Sequence, residues 1–211
     1  MKKFWVLFSL FILPLVFYLF LSKGIYRYAN LPILAEEVIA PDNNPALFKG
    51  HFTVVCFPGD EVSKAKASLF NLNQTIYKRY YQKPLFQMVA ILPEDSEAAY
   101  TPVIEELAAF TDTKAWTFLY KKRETIEAMF HDLKTPFSLQ ESLFSENAYI
   151  VDRELRLRGR KDDEDSTDGK LYGYDTRSVS VLKHKMKDDL DIIYYQLKKS
   201  EEKKKRRQRK I

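Results

Sequence analysis

One cysteine, three histidines, an acidic loop and a basic C-terminal segment are the parts of this sequence that could do chemistry. Cys56, the single thiol, could serve a thiol-dependent redox enzyme, because a thiolate is a strong nucleophile. It lies inside the apolar run 51–57 (HFTVVCF), which we predict to be a buried strand. A buried cysteine behaves as a small hydrophobic residue, so we predict a lone, unreactive thiol. A single cysteine also excludes an internal disulfide and a cysteine-rich zinc site.

Two groups of side chains could be considered as ligands for a cation. The three imidazoles are those of His51, His131 and His184. They lie on three different predicted elements that would all have to converge, so we predict no joint metal site. In the acidic loop 162–168, a calcium loop would need Gly at its sixth position and Glu at its twelfth. Counting from Asp163 gives Asp168 and Tyr174 instead, so we predict a solvated insertion and leave cation binding there open.

The basic character of the chain is concentrated in the C-terminal tail, residues 198–211. Residues 198–210 carry nine basic and two acidic side chains, whereas the net charge of the whole chain is +5, so the remainder is close to neutral. Such a run is either the solvated end of a helix or a surface for anionic lipid headgroups or an acidic partner. The candidate lipid-contacting side chains are Lys203, Lys204, Lys205, Arg206, Arg207, Arg209 and Lys210.

Residues 1–24 are predicted to form a transmembrane anchor. Residues 4–21 are 18 consecutive uncharged side chains, and as a helix they would extend about 27 Å, close to the thickness of a bilayer core. A cleaved signal peptide is the alternative, although Leu21-Ser22-Lys23-Gly24 matches a small-residue cleavage site poorly. Residues 25–45, which contain several prolines, are interpreted as a stalk. The flanking charges are nearly balanced and leave the orientation open.

Residues 46–197 alternate between buried strands and amphipathic helices. Apolar runs predict the strands, and apolar side chains repeating every three or four residues predict the helices. The predicted strands are 51–57, 85–92, 115–120, 148–152 and 156–160, and the predicted helices are 62–76 with Asp60 as N-cap, 96–110, 123–133 and one from about Thr176 to Leu197. This order predicts an α/β, thioredoxin-like mixed sheet with helices on both faces, preceded by one N-terminal transmembrane helix. A flavodoxin-like domain with parallel strands throughout is the alternative.

Several short motifs in and just before this region resemble those of one known family. They are Ala29-Asn30-Leu31-Pro32, Phe86-Gln87-Met88-Val89, Pro93-Glu94-Asp95-Ser96, Trp116-Thr117-Phe118-Leu119 followed by Ile126, Tyr149-Ile150-Val151-Asp152, Arg156-Leu157-Arg158-Gly159 and Tyr174-Asp175-Thr176. Together they resemble the Sco/SenC family. The resemblance implies a thioredoxin fold, copper binding by two cysteines and a histidine, and a place beside the cytochrome oxidase machinery of the respiratory membrane.

The positions of the family's copper ligands carry other residue types in this sequence. The family's CxxxC falls on Val62 and Lys66, and its histidine falls near Phe144. Two thiolates and an imidazole suit Cu(I), whereas valine, phenylalanine and an exposed, protonated lysine do not bind it. Cys56 lies six residues before the first ligand position and does not replace it. We therefore predict a divergent member that has no metal ligands, no cofactor and no catalytic residues.

The resemblance and the missing ligands lead to one functional hypothesis. We expect a non-catalytic accessory or assembly factor of a respiratory cytochrome oxidase complex, with oxidase subunits or a copper chaperone as protein partners. The resemblance implies a bacterial inner-membrane protein with a single span and its domain in the periplasm. No glycine-rich phosphate loop occurs, and we expect no nucleic-acid partner. The alternatives are a redox enzyme that uses Cys56 and a membrane adaptor whose basic tail binds lipid; the sequence predicts no oligomeric state.

Overall fold

The computed structural model describes residues 2–28, 30–38 and 45–208 of the chain. These fall into two units, Met1–Asn30 with Asp191–Ile211, and Leu31–Leu190. The first unit contains α1 (Lys2–Tyr28), which forms from the apolar N-terminal run. Within the described residues, no helix combines the length and the apolar character that crossing a membrane requires.

One mixed sheet forms the centre of the second unit. Its strands in the described residues are β1 (Ile33–Ala35), β2 (Phe52–Cys56), β3 (Phe86–Pro93), β4 (Trp116–Lys121), β5 (Asn147–Val151), β6 (Leu157–Arg158) and β7 (Tyr174–Asp175). The spatial order is β1-β6-β5-β2-β3-β4, with β7 paired to β5. β2, β3 and β4 are parallel, whereas β5 is antiparallel to β2 and β6 is antiparallel to β5. The predicted thioredoxin-like mixed sheet is confirmed, and the antiparallel half excludes the flavodoxin-like alternative.

The helices of the second unit connect the parallel strands and close the domain. α2 spans residues 62–80 and comprises Val62–Leu72, a π-helical turn Asn73–Tyr77 and Lys78–Tyr80. α3 (Glu97–Phe110) follows β3, and α4 (Arg123–His131) follows β4. α5 spans residues 179–208, comprising Val179–Val181, a π-helical turn Leu182–Met186 and Lys187–Gln208, and continues into the first unit.

β2 and β3 are buried along their whole length because helices cover both faces of the sheet. On one face, Val55 and Ile91 belong to the same apolar cluster as Ile126 and Phe130 of α4. Successive side chains of a strand point to opposite faces. Cys56 therefore points to the other face, where Leu69 and neighbouring residues of α2 lie. The prediction of helices on both faces is confirmed.

Three local predictions differ from the structure. Residues 33–35 lie within the predicted stalk, yet they form β1 and pair with β6. The Arg158 guanidinium explains this, because it donates to the backbone oxygens of Leu31 and Pro32 and holds the segment at the sheet edge. Asp60 was expected to cap α2, but Glu61 occupies the N-cap position without a side-chain cap bond. The last helix begins three residues later than predicted, because the Ser178 hydroxyl accepts from the Val181 amide and caps it there.

Candidate functional site

The loop that follows β2 is held tightly against the segment that precedes β5. Pro58 forms an antiparallel bridge with Phe144. Gly59 has φ of +70°, and a Cβ atom there would lie 2.2 Å from the Ser142 backbone oxygen, so this close approach requires glycine. The start of α2 and the region of Phe144 are therefore neighbours, which is the arrangement that a site shared by these two segments needs.

The side chains at the family's ligand positions do not form a metal site. Val62 is half-buried at the first turn of α2. Lys66 is directed away to α3, where its Nζ lies 2.6 Å from Glu106 Oε2. Phe144 is only 4% exposed and lines, with Cys56 and Leu69, a void of about 10 Å³. A void of that size is at the limit for a single water molecule, and Val62, Lys66 and Phe144 offer no soft ligand for copper.

Cys56 is a packed core residue. Its side chain is 4% exposed, and its Sγ lies 3.8 Å from the Val89 backbone oxygen, to which it donates. Burial raises the pKa of the Cys56 thiol to about 12, because the charged thiolate is disfavoured in an apolar surrounding. The thiol is therefore protonated at neutral pH, in the environment expected of an inert cysteine.

The histidines do not lie together in a ligand cluster. His51 is half-buried before β2, whereas His131 and His184 are exposed on α4 and α5. Across the described residues, no group of three or more His, Cys, Asp or Glu side chains is arranged to hold a metal ion.

The acidic loop 162–168 encloses a cation that belongs to the protein itself. Lys185 Nζ lies 2.6 and 2.9 Å from the two carboxylate oxygens of Asp163 and 2.7 Å from Asp165 Oδ2. Burial alone would raise the pKa of Asp163, but hydrogen bonds from Lys185 and Ser166 outweigh it and hold the pKa below its ordinary value. Asp163 is 4% exposed, so the prediction of a solvated insertion is wrong at this residue, because the ammonium compensates its charge.

Two further buried carboxylates bind the arginines of residues 156–160, in and beside β6. Asp152 accepts from Arg156 Nε and from Arg158 Nη1, both at 2.9 Å. Asp189 accepts from Arg160 Nε and, at 2.7 Å, from the Tyr174 hydroxyl. Burial raises the pKa of Asp189, although Arg160 and Tyr174 oppose that shift. These pairs were missed at the level of sequence.

The sequence did contain one signal for those pairs. Residues at every second position of an extended segment share a face, and arginines occupy positions 156, 158 and 160. Three guanidinium groups in so short a segment require acidic partners when the segment is buried. Arg156 and Arg158 find Asp152 only four and six residues away, whereas the partner of Arg160 is Asp189 on α5, 29 residues away, and only the tertiary structure identifies it.

Two concave surfaces lie near the carboxyl ends of the parallel strands. A polar crevice of about 470 Å³ is lined by charged side chains that follow β2, β3 and β4, including Asp60, Asp95, Lys122 and Glu124. A larger open groove of about 860 Å³ lies between α4 and residues 134–141. Acidic and basic side chains line both surfaces, so neither favours a ligand of one charge.

The predicted tail falls at the border of what the structure describes. The helical backbone of α5 extends to Gln208. The side chains of Lys203, Lys204, Lys205, Arg206 and Arg207 are outside the described set, and Arg209 and Lys210 lie outside the described residues altogether.

Comparisons with known proteins find similarity among solved structures. No protein-family model matches the chain, and no curated protein matches it. Among solved structures, it is similar to a SCO1/SenC family lipoprotein from Bacillus anthracis (17% identity, 54% of this chain and 72% of that one, TM-score 0.41). It is also similar to BsSco, a member of the Sco family of cytochrome c oxidase assembly proteins (12% identity, 78% of this chain and 96% of that one, TM-score 0.48). A third similar structure is copper-bound ScoI of Bradyrhizobium japonicum (14% identity, 71% of this chain and 88% of that one, TM-score 0.42). All three are members of the family that the sequence motifs resemble.

Proposed function

We propose that this chain is a non-catalytic, Sco-like accessory or assembly factor of a respiratory cytochrome oxidase complex and that it acts through protein contacts. The observation that carries the proposal is the packing beside the first turn of α2. Phe144, Leu69 and the buried Cys56 leave a void of only about 10 Å³ where the two segments meet. The copper ligands of the family are two thiolates and an imidazole, whereas the only thiol at this place, that of Cys56, is buried and its pKa is raised to about 12.

The family resemblance supplies the setting of the proposal. Residues 4–21 are proposed as a single-pass anchor in a bacterial inner membrane, with the domain on the periplasmic side. The partners proposed are oxidase subunits or a copper chaperone, which a domain of this fold could hold without carrying copper itself. The basic tail, residues 198–211, is proposed to lie near anionic lipid headgroups, where each cation contributes about 1 kcal/mol.

Co-purification from native membranes tests this function. The chain would be tagged at its C-terminus, solubilised gently and analysed for bound proteins and for copper. Oxidase subunits or a copper chaperone at near-stoichiometric level, with no copper retained by the chain after separation, is the expected result. A preparation without respiratory proteins, or stoichiometric copper on the isolated chain, would contradict the proposal. A reporter that functions only in the cytoplasm would be fused to the C-terminus. Activity of that reporter would contradict the proposed orientation.

A further inference from the structure

β4 is the outermost strand on one side of the sheet. It pairs with β3 along Met88–Pro93 and ends the spatial order of the strands. The Met88 amide donates to the Ala115 backbone oxygen at 2.8 Å. In a parallel pair, alternate residues direct both backbone groups towards the neighbour. Residues 117 and 119 therefore face β3, whereas the backbone groups of Phe118 and Tyr120 face outward.

The protective devices that usually guard an edge strand are missing along most of β4. Edge strands are commonly protected by charged side chains, proline or a bulge. Residues 116–120 contain neither a charged side chain nor a proline. The β3–β4 register runs without a shift from Trp116 to Lys121, so there is no bulge. The side chains from Thr117 to Lys121 are half-buried, and the rings of Trp116 and Phe118 stack with centroids 5.3 Å apart. This edge is regular, rigid and apolar enough to accept another strand.

Basic side chains flank β4 at both ends. Residues 114–123 carry four basic side chains and no acidic one, although Lys114 Nζ lies 3.4 Å from Asp112 Oδ2 and Arg123 lies 3.8 Å from Asp60. Two basic residues, Lys121 and Lys122, stand at the carboxyl end of the strand, and Lys114 precedes its amino end. Among the described residues no strand pairs with the outer side of β4, so its outward backbone groups lie between cations at both ends.

We propose that the edge of β4 binds an extended, acidic segment of a partner protein, which adds to the sheet as a further strand. The proposal rests on the proposed function and identifies the surface through which those protein contacts are made. Backbone hydrogen bonds at Phe118 and Tyr120 would provide the pairing, and carboxylates near Lys114 and Lys122 would set the choice of partner.

A second copy of this chain fits the same edge less well. Antiparallel pairing must set outward residues opposite each other, and pairing of two β4 strands about Phe118 would place Lys114 opposite Lys122. Parallel pairing sets an outward residue opposite an inward one, and a shift by one residue would place Lys121 opposite Lys122. Like charges placed opposite each other destabilise strand pairing, so the charge pattern selects an acidic partner.

Peptide binding to the full-length chain in detergent tests the proposal. The probes are two capped octapeptides, one alternating glutamate with valine and one alternating lysine with valine, each labelled for fluorescence polarisation. We expect the acidic peptide to bind at least tenfold more tightly than the basic one, with an affinity that falls as salt increases.

Three variants connect the binding to the edge. Tyr120→Pro removes an outward amide without removing a bond to β3, and it should lower the affinity for the acidic peptide at least tenfold. Tyr120→Ala keeps that amide, and its affinity should be within threefold of that of the wild type. Lys122→Glu changes an exposed side chain, so a change in binding would not come from misfolding. It should lower the affinity for the acidic peptide at least threefold. Lys83→Glu is the matched control on another exposed lysine and should bind as the wild type does.

The outcomes distinguish a failure of the edge proposal from a failure of the proposed function. Equal binding of both peptides, or binding unaffected by Tyr120→Pro and Lys122→Glu, would overturn the proposal. A dimer of the wild type that Tyr120→Pro dissociates would overturn it as well, because the occupant would then be a second copy. If the edge binds the acidic peptide but no respiratory protein co-purifies, only the proposed function fails. If a respiratory partner is retained equally by wild type and Lys122→Glu, only the edge proposal fails.

Discussion

The reactivity of Cys56 gives the sharpest distinction between a protein that works by contacts and a thiol enzyme. The structure raises the pKa of this thiol from an ordinary 9.0 to about 12. At any pH below 9, three pKa units reduce the thiolate fraction about a thousandfold. Because the thiolate is the reactive species, labelling of native Cys56 by a disulfide reagent should be at least a thousandfold slower than labelling of an ordinary exposed thiol.

The assay needs a matched exposed thiol in the same fold. Cys56→Ser combined with Lys66→Cys moves the single thiol from the core to the surface of α2, where the Lys66 side chain is 48% exposed. Among the described residues, the change at position 66 removes a surface ion pair with Glu106 and a cation–π contact with Phe70, which together should be worth below about 1 kcal/mol. Cys56→Ser adds the cost of a hydroxyl in the core, about 1 to 3 kcal/mol. Both proteins would be labelled at pH 8, folded and in denaturant.

The expected result has two parts. Folded wild type should label at least a thousandfold more slowly than the Lys66→Cys protein, and the two should label at the same rate once unfolded. The reasoning would be refuted if native Cys56 labelled within a factor of ten of the surface thiol. That outcome would mean that the thiolate is accessible despite its burial, and it would favour the alternative function, a redox enzyme that uses Cys56.

Three further predictions concern the buried charges. Lys185→Met should lower the free energy of unfolding by about 3 kcal/mol by leaving Asp163 without its cation, whereas Lys183→Met should be neutral in the same denaturant titration. The pKa of Asp163 is lowered in the wild type by Lys185, and burial alone would raise it in the variant. The difference should therefore be fully present at neutral pH and shrink as the pH falls towards and below 3.8; a difference that stayed constant to pH 2 would contradict this assignment. Tyr174→Phe should cost about 2 kcal/mol through the lost hydrogen bond to Asp189, and no change in chemical denaturation would argue against that bond. Millimolar Ca²⁺ should leave the melting temperature unchanged, since Lys185 already occupies the acidic loop, and a rise of several degrees would show a cation site there.

Much of the fold could be predicted because local pattern and tertiary structure agree. The apolar runs around Cys56 and Met88 are long enough to be buried on both faces, and they form the two central strands. The spacing of Leu69, Leu72 and Ile76 sets the buried face of α2. The hairpin around residue 154 also formed as predicted, with Val151 opposite Leu157.

The elements that were misplaced depend on partners distant in the chain. Ile33–Ala35 has no pattern of its own beyond three apolar residues, and it becomes a strand because Arg158 binds the backbone just before it. β7 is two residues long, and it forms because Asn147 and Ala148 of β5, which precede the residues paired with β6, pair with it. Hydrogen bonds across more than a hundred residues leave no periodic trace in a sequence.

For the site, the sequence by itself determined what chemistry the chain lacks. A single cysteine, and valine, lysine and phenylalanine at positions 62, 66 and 144, exclude the family's copper ligands whatever the fold does with them. What only the tertiary structure decided is where the remaining groups lie. It placed Cys56 beside Phe144 in a nearly closed core and put the Lys185 ammonium inside the acidic loop. It also left the outer edge of β4 without a neighbouring strand among the described residues. Composition fixes which atoms are available, but burial and long-range packing fix their pKa values, partners and exposure.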